Sequence, residues 1–443
     1  MDITRKIYNE YYEYITGHME SCKAGAFAVN AYLERTPLYY NNRLTSKTLQ
    51  IPKVYSAEVI SQFKEIVSTA YGIFCKVIKE YLSCEDYRRL FPFSPELEEL
   101  ILIPNLYDSL LPIARFDIFY QEDSEEFYFC EINTDGTSAM NEDRILNEAF
   151  IDNPAHQELL RRYPLQSFEL FDSWVDTFFS LYRTYEKKKE RPEVAIVDFL
   201  DTGTLREFQE FARHFQKKGV HCQVCDIREL VYENGALYSK NGYPVDAIYR
   251  RAVTSDIMKH YDEVLPFIQA VKDQNVFLAG SFCTQIIHNK WLFHVLHLDR
   301  SKRFLNEKEN AFVAAHIPNT VLFCDGKCDK SEIQKNKDRY ILKPLDSYAS
   351  NGVYAGVEFT EEEWLAHVEE TYGKDYICQT YCPQYATENI DFVWGNGTWK
   401  PYINMPGLYV YNGTFAGIFS RQAIGGIIAS HRNERTVPTY YLE

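Results

Sequence analysis

The sequence predicts a mixed α/β fold made of more than one unit, and three observations point to it. Residues 56–82 repeat apolar side chains at helical spacing. Residues 192–285 alternate buried-strand runs with a helix, the pattern of a small open α/β layer. From Asp391 onward, Asn-Gly pairs divide the chain into short apolar strands, as in antiparallel hairpins. With 443 residues, 46% of them hydrophobic, the chain can build two or three units with substantial cores and is too long for one simple domain.

In chain order, Ser56 can cap the first clear helix, whose Ile60, Phe63, Ile66, Val67, Ala70, Phe74, Val77 and Tyr81 fall on one stripe. Residues 101–133 turn strand-like, and 157–186 read as helix. The charged run 186–192 is a helix end and linker. Residues 194–199 form a buried-strand run, and Asp201-Thr202-Gly203-Thr204 can cap the helix that follows. Gly219 ends that helix, and 220–226 is a second strand. Asn234-Gly235 then joins two short strands, and 245–249 is one more. The helix start at Thr204 suits plain capping or an anion. Further on, Asn396-Gly397 and Asn412-Gly413 punctuate strands at 391–394, 399–404, 408–411 and 414–419.

Composition excludes several classes. Lys plus Arg number 47 against 63 Asp plus Glu, and no basic cluster is present for nucleic acid or an anionic membrane. No apolar run approaches the ~20 residues that span a bilayer, and Met1-Asp2-Ile3-Thr4-Arg5-Lys6 opens no signal peptide. Eleven scattered cysteines fit reduced thiols, so a cytoplasmic location is expected. Cys222 and Cys225 read as buried core side chains. Cys324, Cys328, Cys378 and Cys382 are spaced loosely for a four-thiolate zinc site.

The chemistry concentrates in residues 113–133. A hairpin closing around Ser124 would set Arg115 opposite Asn133, Asp117 opposite Glu131 and Phe119 opposite Phe129. Its other face, with Phe116, Ile118, Tyr120, Tyr128, Cys130 and Ile132, is apolar and must be buried. Facing carboxylates with Cβ atoms only ~5 Å apart repel, and a hard divalent cation removes that repulsion. Arg115 suits a phosphate. A solvent-exposed charged sheet end, with Arg115 neutralising Asp117, explains the same pattern.

Two lysines add to this. Lys290 opens an apolar stretch after His288-Asn289. Lys343 ends Tyr340-Ile341-Leu342-Lys343, followed by a loop with Ser347, Ser350, Asn351, Gly352 and Gly356 whose amides can meet phosphates. Taken singly, either lysine reads as a surface residue. His288, His294 and His297 fit a helix packed against its neighbours.

Taken together in this order, the motifs resemble those of the circularly permuted ATP-grasp ligases, above all the synthetase domain of glutathionylspermidine synthase. Glu131-Ile132-Asn133-Thr134-Asp135-Gly136-Thr137-Ser138 is also similar to eukaryotic glutathione synthetase. The resemblance runs from about residue 100 to the C-terminus and implies an ATP-grasp fold, permuted, with an inserted Rossmann-like open α/β domain. It implies Mg²⁺ on Asp117, Glu131 and Asn133, and transferred phosphate on Arg115. ATP falls on Lys290, Lys343, Ser350 and Gly352, and the adenine edge on the hinge containing Gln379 and Tyr381. Phe419-Ser420-Arg421 resembles the late arginine that neutralises an acyl phosphate. Thr137, Ser138 and Glu142 follow the metal motif as substrate contacts, although a helix cap at Ser138 explains them nearly as well.

The division that follows is a helical region at 1–100, the metal-binding part at 101–190, the open α/β domain at 191–285, and the lid and C-terminal strands at 286–443. The implied activity is ATP- and Mg²⁺-dependent ligation of a small-molecule or peptide carboxylate to an amine, with loop 344–356 as a lid. Asp117→Asn and Lys343→Ala would then silence the protein without disturbing its fold. A small-molecule kinase and a non-catalytic nucleotide-binding protein stay open as alternatives at this point.

Overall fold

The computed structural model describes residues 3–40, 43–201, 204–345, 352–430 and 432–442. A central antiparallel sheet runs from Arg435–Val437 through Thr414–Ala423, Trp399–Tyr411 and Ile113–Tyr120 to Phe127–Asn133, with Ala386–Ile390 paired to the start of Trp399–Tyr411. A second antiparallel sheet orders Thr320–Leu322, Tyr376–Thr380, Tyr340–Pro344 and Tyr354–Ala355. The third is parallel, with Phe277–Ala279, Ala247–Arg250, Val194–Asp198 and Cys222–Asp226 in that order.

Helix Ala57–Ser83 forms as its spacing predicts. Ser56 Oγ accepts the Val59 amide, and the whole apolar stripe is buried. That stripe covers one face of the central sheet, where Phe74 meets Phe116 and Phe129 edge-on at 5.3 and 6.2 Å. Just before it, Lys53–Tyr55 pairs in parallel with Thr439–Tyr441, so the first hundred residues share a sheet with the C-terminus.

Three elements differ from expectation. The helix expected over 157–186 is two helices, Pro154–Arg162 and Phe171–Thr184, with the short strand Gln166–Ser167 between them. Tyr163, at φ −131°, precedes Pro164, and the residue before proline is driven out of helical geometry. Residues 391–394 form a turn instead of a strand, because Asp391 Oδ1 accepts the amides of Val393 and Trp394 at 3.2 and 2.7 Å. Residues 399–404 and 408–411 belong to one strand. Its Pro406 sits at the margin of the pairing with Ile113–Tyr120, which starts at Gly407, and a missing amide is tolerated there.

The hairpin turns at Asn234-Gly235 and Asn412-Gly413 are as read, with φ of +52° and +75° and of +46° and +84°. All eleven cysteines are free. Cys222 belongs to the buried cluster of Phe211 and Phe215, and Cys225 to that of Ile227 and Leu230, so each is a core side chain as read.

Candidate active site

The hairpin has the expected register where the charges are: Arg115 faces Asn133, and Asp117 faces Glu131. Beyond Asp117 the ladder slips by one residue at a bulge, setting Ile118 opposite Phe129 and Phe119 opposite Tyr128. The inward face expected for Tyr128 and Cys130 therefore goes to Phe127 and Phe129, which join Phe116, Ile118 and Ile132 in the core. Cys130 is the extra residue. It lines a cleft, and its carbonyl accepts a long 3.5 Å bond from Lys343 Nζ.

Asp117, with 0% exposure, is the hub of the cluster. Arg115 donates through Nε to Oδ1 at 2.7 Å and through Nη2 to Oδ2 at 3.1 Å. Asn133 Nδ2 donates to the same Oδ2 at 2.9 Å and to Glu131 Oε1 at 3.2 Å, and Arg421 Nη2 lies 2.6 Å from Oδ2. Three hydrogen bonds and the Arg421 guanidinium thus converge on Asp117, mostly on Oδ2. Burial by itself would raise its carboxyl, but Arg115 and Arg421 outweigh burial and hold it at about 2.

Neighbouring residues make room for this hub. A Cβ on Gly407 would stand 2.5 Å from Asp117 Oδ1 and 2.8 Å from Arg115 Cδ, so the strand needs glycine there. Both guanidinium groups lie 5.3 Å from the Phe419 ring centre. Arg115 Nη1 and the Tyr409 hydroxyl donate to the Ser138 carbonyl at 2.9 and 2.8 Å. Among the described residues, the buried Arg421 Nε has no hydrogen-bond acceptor.

The cluster opens on a cleft of about 840 Å³ between the two antiparallel sheets. Arg115, Glu131, Asn133 and Arg421 line one wall, while Lys343, Gln379 and Tyr381 line the other, and Lys290 also reaches it. Lys343 Nζ donates to Gln379 Oε1 at 2.7 Å, and Gln379 Nε2 donates to Thr320 Oγ1 at 2.9 Å. The Tyr381 hydroxyl lies 2.9 Å from Gln384 Oε1 and 3.0 Å from the Gly426 carbonyl, either of which can accept its proton. Lys290 lies between helices Gln285–His288 and Leu292–His297, where Asn289 Oδ1 accepts the Trp291 amide. His294 and His297 bond the carbonyls of Thr320 and Ile317, as helix packing implies.

Other expected residues fare unevenly. Ser138 and Glu142 line the cleft, whereas Thr137 is buried and donates to the Asn133 carbonyl at 2.9 Å. Ser138 is not a helix cap: helix Met140–Ala149 follows Ala139, at φ +78°, with no side-chain cap. Ser347, Ser350 and Asn351 lie outside the described residues, as does the middle of the expected lid, 346–351. Gly352 lies against Tyr376 and Pro344, and the cleft wall is formed instead by Val353. Burial, with Glu207 and Glu434 nearby, raises the Glu142 carboxyl above its ordinary range.

Sequence reasoning missed Gly407, Tyr409 and Glu434, and it missed the N-terminal hairpin Tyr39–Tyr40 and Arg43–Leu44, whose Tyr40 and Arg43 reach the cleft. The Pro406-Gly407 pair was the available signal for a close backbone approach.

Mg²⁺ requires hard oxygen donors. Half-buried Glu131 and Asn133, both on the cleft wall, fit that need. Asp117, expected beside them, is enclosed by guanidinium groups and does not line the cleft. Among the described residues, one other set could share an ion, namely Glu169, Asp172 and His214. There Glu169 accepts the amides of Phe171, Asp172 and Ser173, and His214 pairs with Asp172.

The two antiparallel sheets closing on one cleft, beside an open parallel α/β layer, define a mixed α/β protein of the ATP-grasp fold. Among solved structures, a glutathione synthetase-like effector from Globodera pallida, in its apo form, matches with a TM-score of 0.58 at 11% identity, over 95% of this chain and 96% of that one. A putative γ-glutamylcysteine synthetase from Methylobacillus flagellatus matches at 0.36 and 10% identity, over 88% of this chain and 90% of its own, a likeness too low to carry an argument. No protein-family model and no curated protein matches the sequence. No helix among the described residues is long and apolar enough to cross a membrane.

Proposed function

We propose that this chain is an ATP- and Mg²⁺-dependent ligase that activates a small-molecule or peptide carboxylate as an acyl phosphate and joins it to an amine. One observation carries the reading: a single cleft gathers Arg115, Glu131, Asn133 and Arg421 on one wall, opposite Lys343 and Gln379 on the other. Lys343 and Lys290 hold ATP phosphates, and Gln379 and Tyr381 border the base. Bound at Glu131 and Asn133, Mg²⁺ supplies positive charge to the triphosphate. Asp117 sits behind them and fixes Arg115, Asn133 and Arg421 in place. The substrate carboxylate oxygen attacks the γ-phosphorus as the bond to ADP breaks, while Arg115 and Arg421 balance charge on the transferred group. The amine then attacks the acyl carbon, and phosphate leaves.

The fold likeness to a glutathione synthetase-like protein supports the class. Specificity like that of glutathionylspermidine synthase, and the permuted chain order, belong to the same proposal and rest on the succession Glu131, Lys290, Lys343, Arg421. The test is ADP release from Mg·ATP with γ-glutamylcysteine or glutathione as the acid, and glycine, spermidine or hydroxylamine as the amine. ADP release that needs both an acid and an amine, with hydroxamate formed from hydroxylamine, is the expected result. ADP release indifferent to the amine would make the protein a kinase, and no nucleotide turnover would make it a binding protein.

A further inference from the structure

Besides Arg115, Lys343 and Arg421, the cleft is lined by three carboxylates that the ligase reading leaves without a task, Glu142, Glu207 and Glu434. These three carboxylates are not equivalent. Glu207 is 2% exposed, lies 2.9 Å from Arg251 Nη2, and accepts the Asn141 amide through its other oxygen at 3.0 Å. Glu434 accepts the Ser430 hydroxyl at 2.9 Å. Among the described residues, no cation lies within ion-pair distance of Glu142, which sits in the first turn of helix Met140–Ala149 and lines the cleft. Arg421 is 6% exposed and, among the described residues, its buried Nε has no acceptor, which leaves a donor for an anionic ligand.

The proposed reaction makes a demand that such an arrangement meets. An aliphatic amine reaches the enzyme as an ammonium ion and must lose a proton before its nitrogen can attack. We propose that Glu142, beside Glu207 and Glu434 on the cleft wall, receives the incoming primary ammonium and takes the proton that frees its lone pair. This rests on the ligase reading. The freed nitrogen attacks the acyl carbon, the C–O bond to phosphorus breaks, and phosphate departs with the electron pair. The second nitrogen proton leaves the adduct with the phosphate, and Glu142 returns the first to water. Burial raises the Glu142 carboxyl, Glu207 and Glu434 raise it further, and Arg251 opposes them, so Glu142 holds a proton more tightly than an ordinary carboxylate does.

Hydroxylamine separates this role from the rest of the mechanism, since it is largely uncharged at neutral pH and needs no base. In Glu142→Gln, hydroxamate formation with the acid that turns over in the wild type should stay near its wild-type rate. Ligation of glycine or spermidine should fall about 100-fold or more, and recover as the pH is raised towards the pKa of the amine. The exchange removes a like-charge repulsion on a half-buried residue, so its melting temperature should not fall below the wild type. Glu142→Asp should restore part of the ligation rate. Equal loss of both products in a folded Glu142→Gln protein, or no loss of either, overturns the proposal. A wild-type protein that makes no hydroxamate with any acid overturns the ligase reading itself, and this proposal with it.

Discussion

Replacing a carboxylate that has no exposed surface and holds two guanidinium groups leaves both cations uncompensated. Asp117→Asn is therefore expected to cost about 3–5 kcal/mol of stability, a large part of the ~5–15 kcal/mol typical of a folded protein. It should lower the melting temperature as well as abolish ADP release, so it is not the silent catalytic substitution that the sequence suggested. Glu131→Gln, on the half-buried wall, separates the two effects. Because the Asp117 carboxyl is held at about 2 against an ordinary 3.8, its stabilisation is full above the unfolded-state value and is lost as pH falls from about 4 to 2. Thermal melts across that range should show the loss in the wild type and not in Asp117→Asn. Gly407→Ala pushes a methyl group into Asp117 and Arg115. It should cost about 1–3 kcal/mol and silence turnover, measured by melting and ADP release.

At the scale of elements, periodicity was legible wherever one face is uniformly apolar. Helix Ala57–Ser83 and the pairing of Asp117 with Glu131 both followed from spacing. The bulge at Cys130 did not, because Phe127-Tyr128-Phe129-Cys130 offers apolar side chains at both parities and either face could be buried. Tertiary packing under Phe74 decided it. Helix Met140–Ala149, which follows the metal motif, carries a pH dependence of its own. Burial raises the Asp143 carboxyl to about 8, against backbone and Asn147 hydrogen bonds that lower it. Between about pH 4 and 8 the folded chain keeps a proton that the unfolded chain has released, so stability falls as pH rises through that window. Asp143→Asn should lessen this fall in melting temperature, with Glu142 beside it carrying the remainder, and an unchanged slope would assign the dependence to other groups.

For the whole molecule, the site draws on segments separated by hundreds of residues: Glu131 from one hairpin, Lys343 and Gln379 from a second sheet, and Arg421 from the last long strand. No local pattern specifies that convergence, and only the order of motifs within a known family suggested it. The contribution of Tyr40 and Arg43 carried no such signal, since a two-residue strand with polar neighbours looks like any surface turn.

The claim that binds these parts is that both walls of the cleft hold one Mg·nucleotide, and equilibrium binding of a non-hydrolysable ATP analogue measures it directly. Wild type should bind the analogue in Mg²⁺ and bind it more weakly in EDTA. Lys343→Ala and Glu131→Gln, from opposite walls, should each weaken binding by about tenfold or more, or ~1.4 kcal/mol. Wild-type affinity in both folded variants would contradict the account.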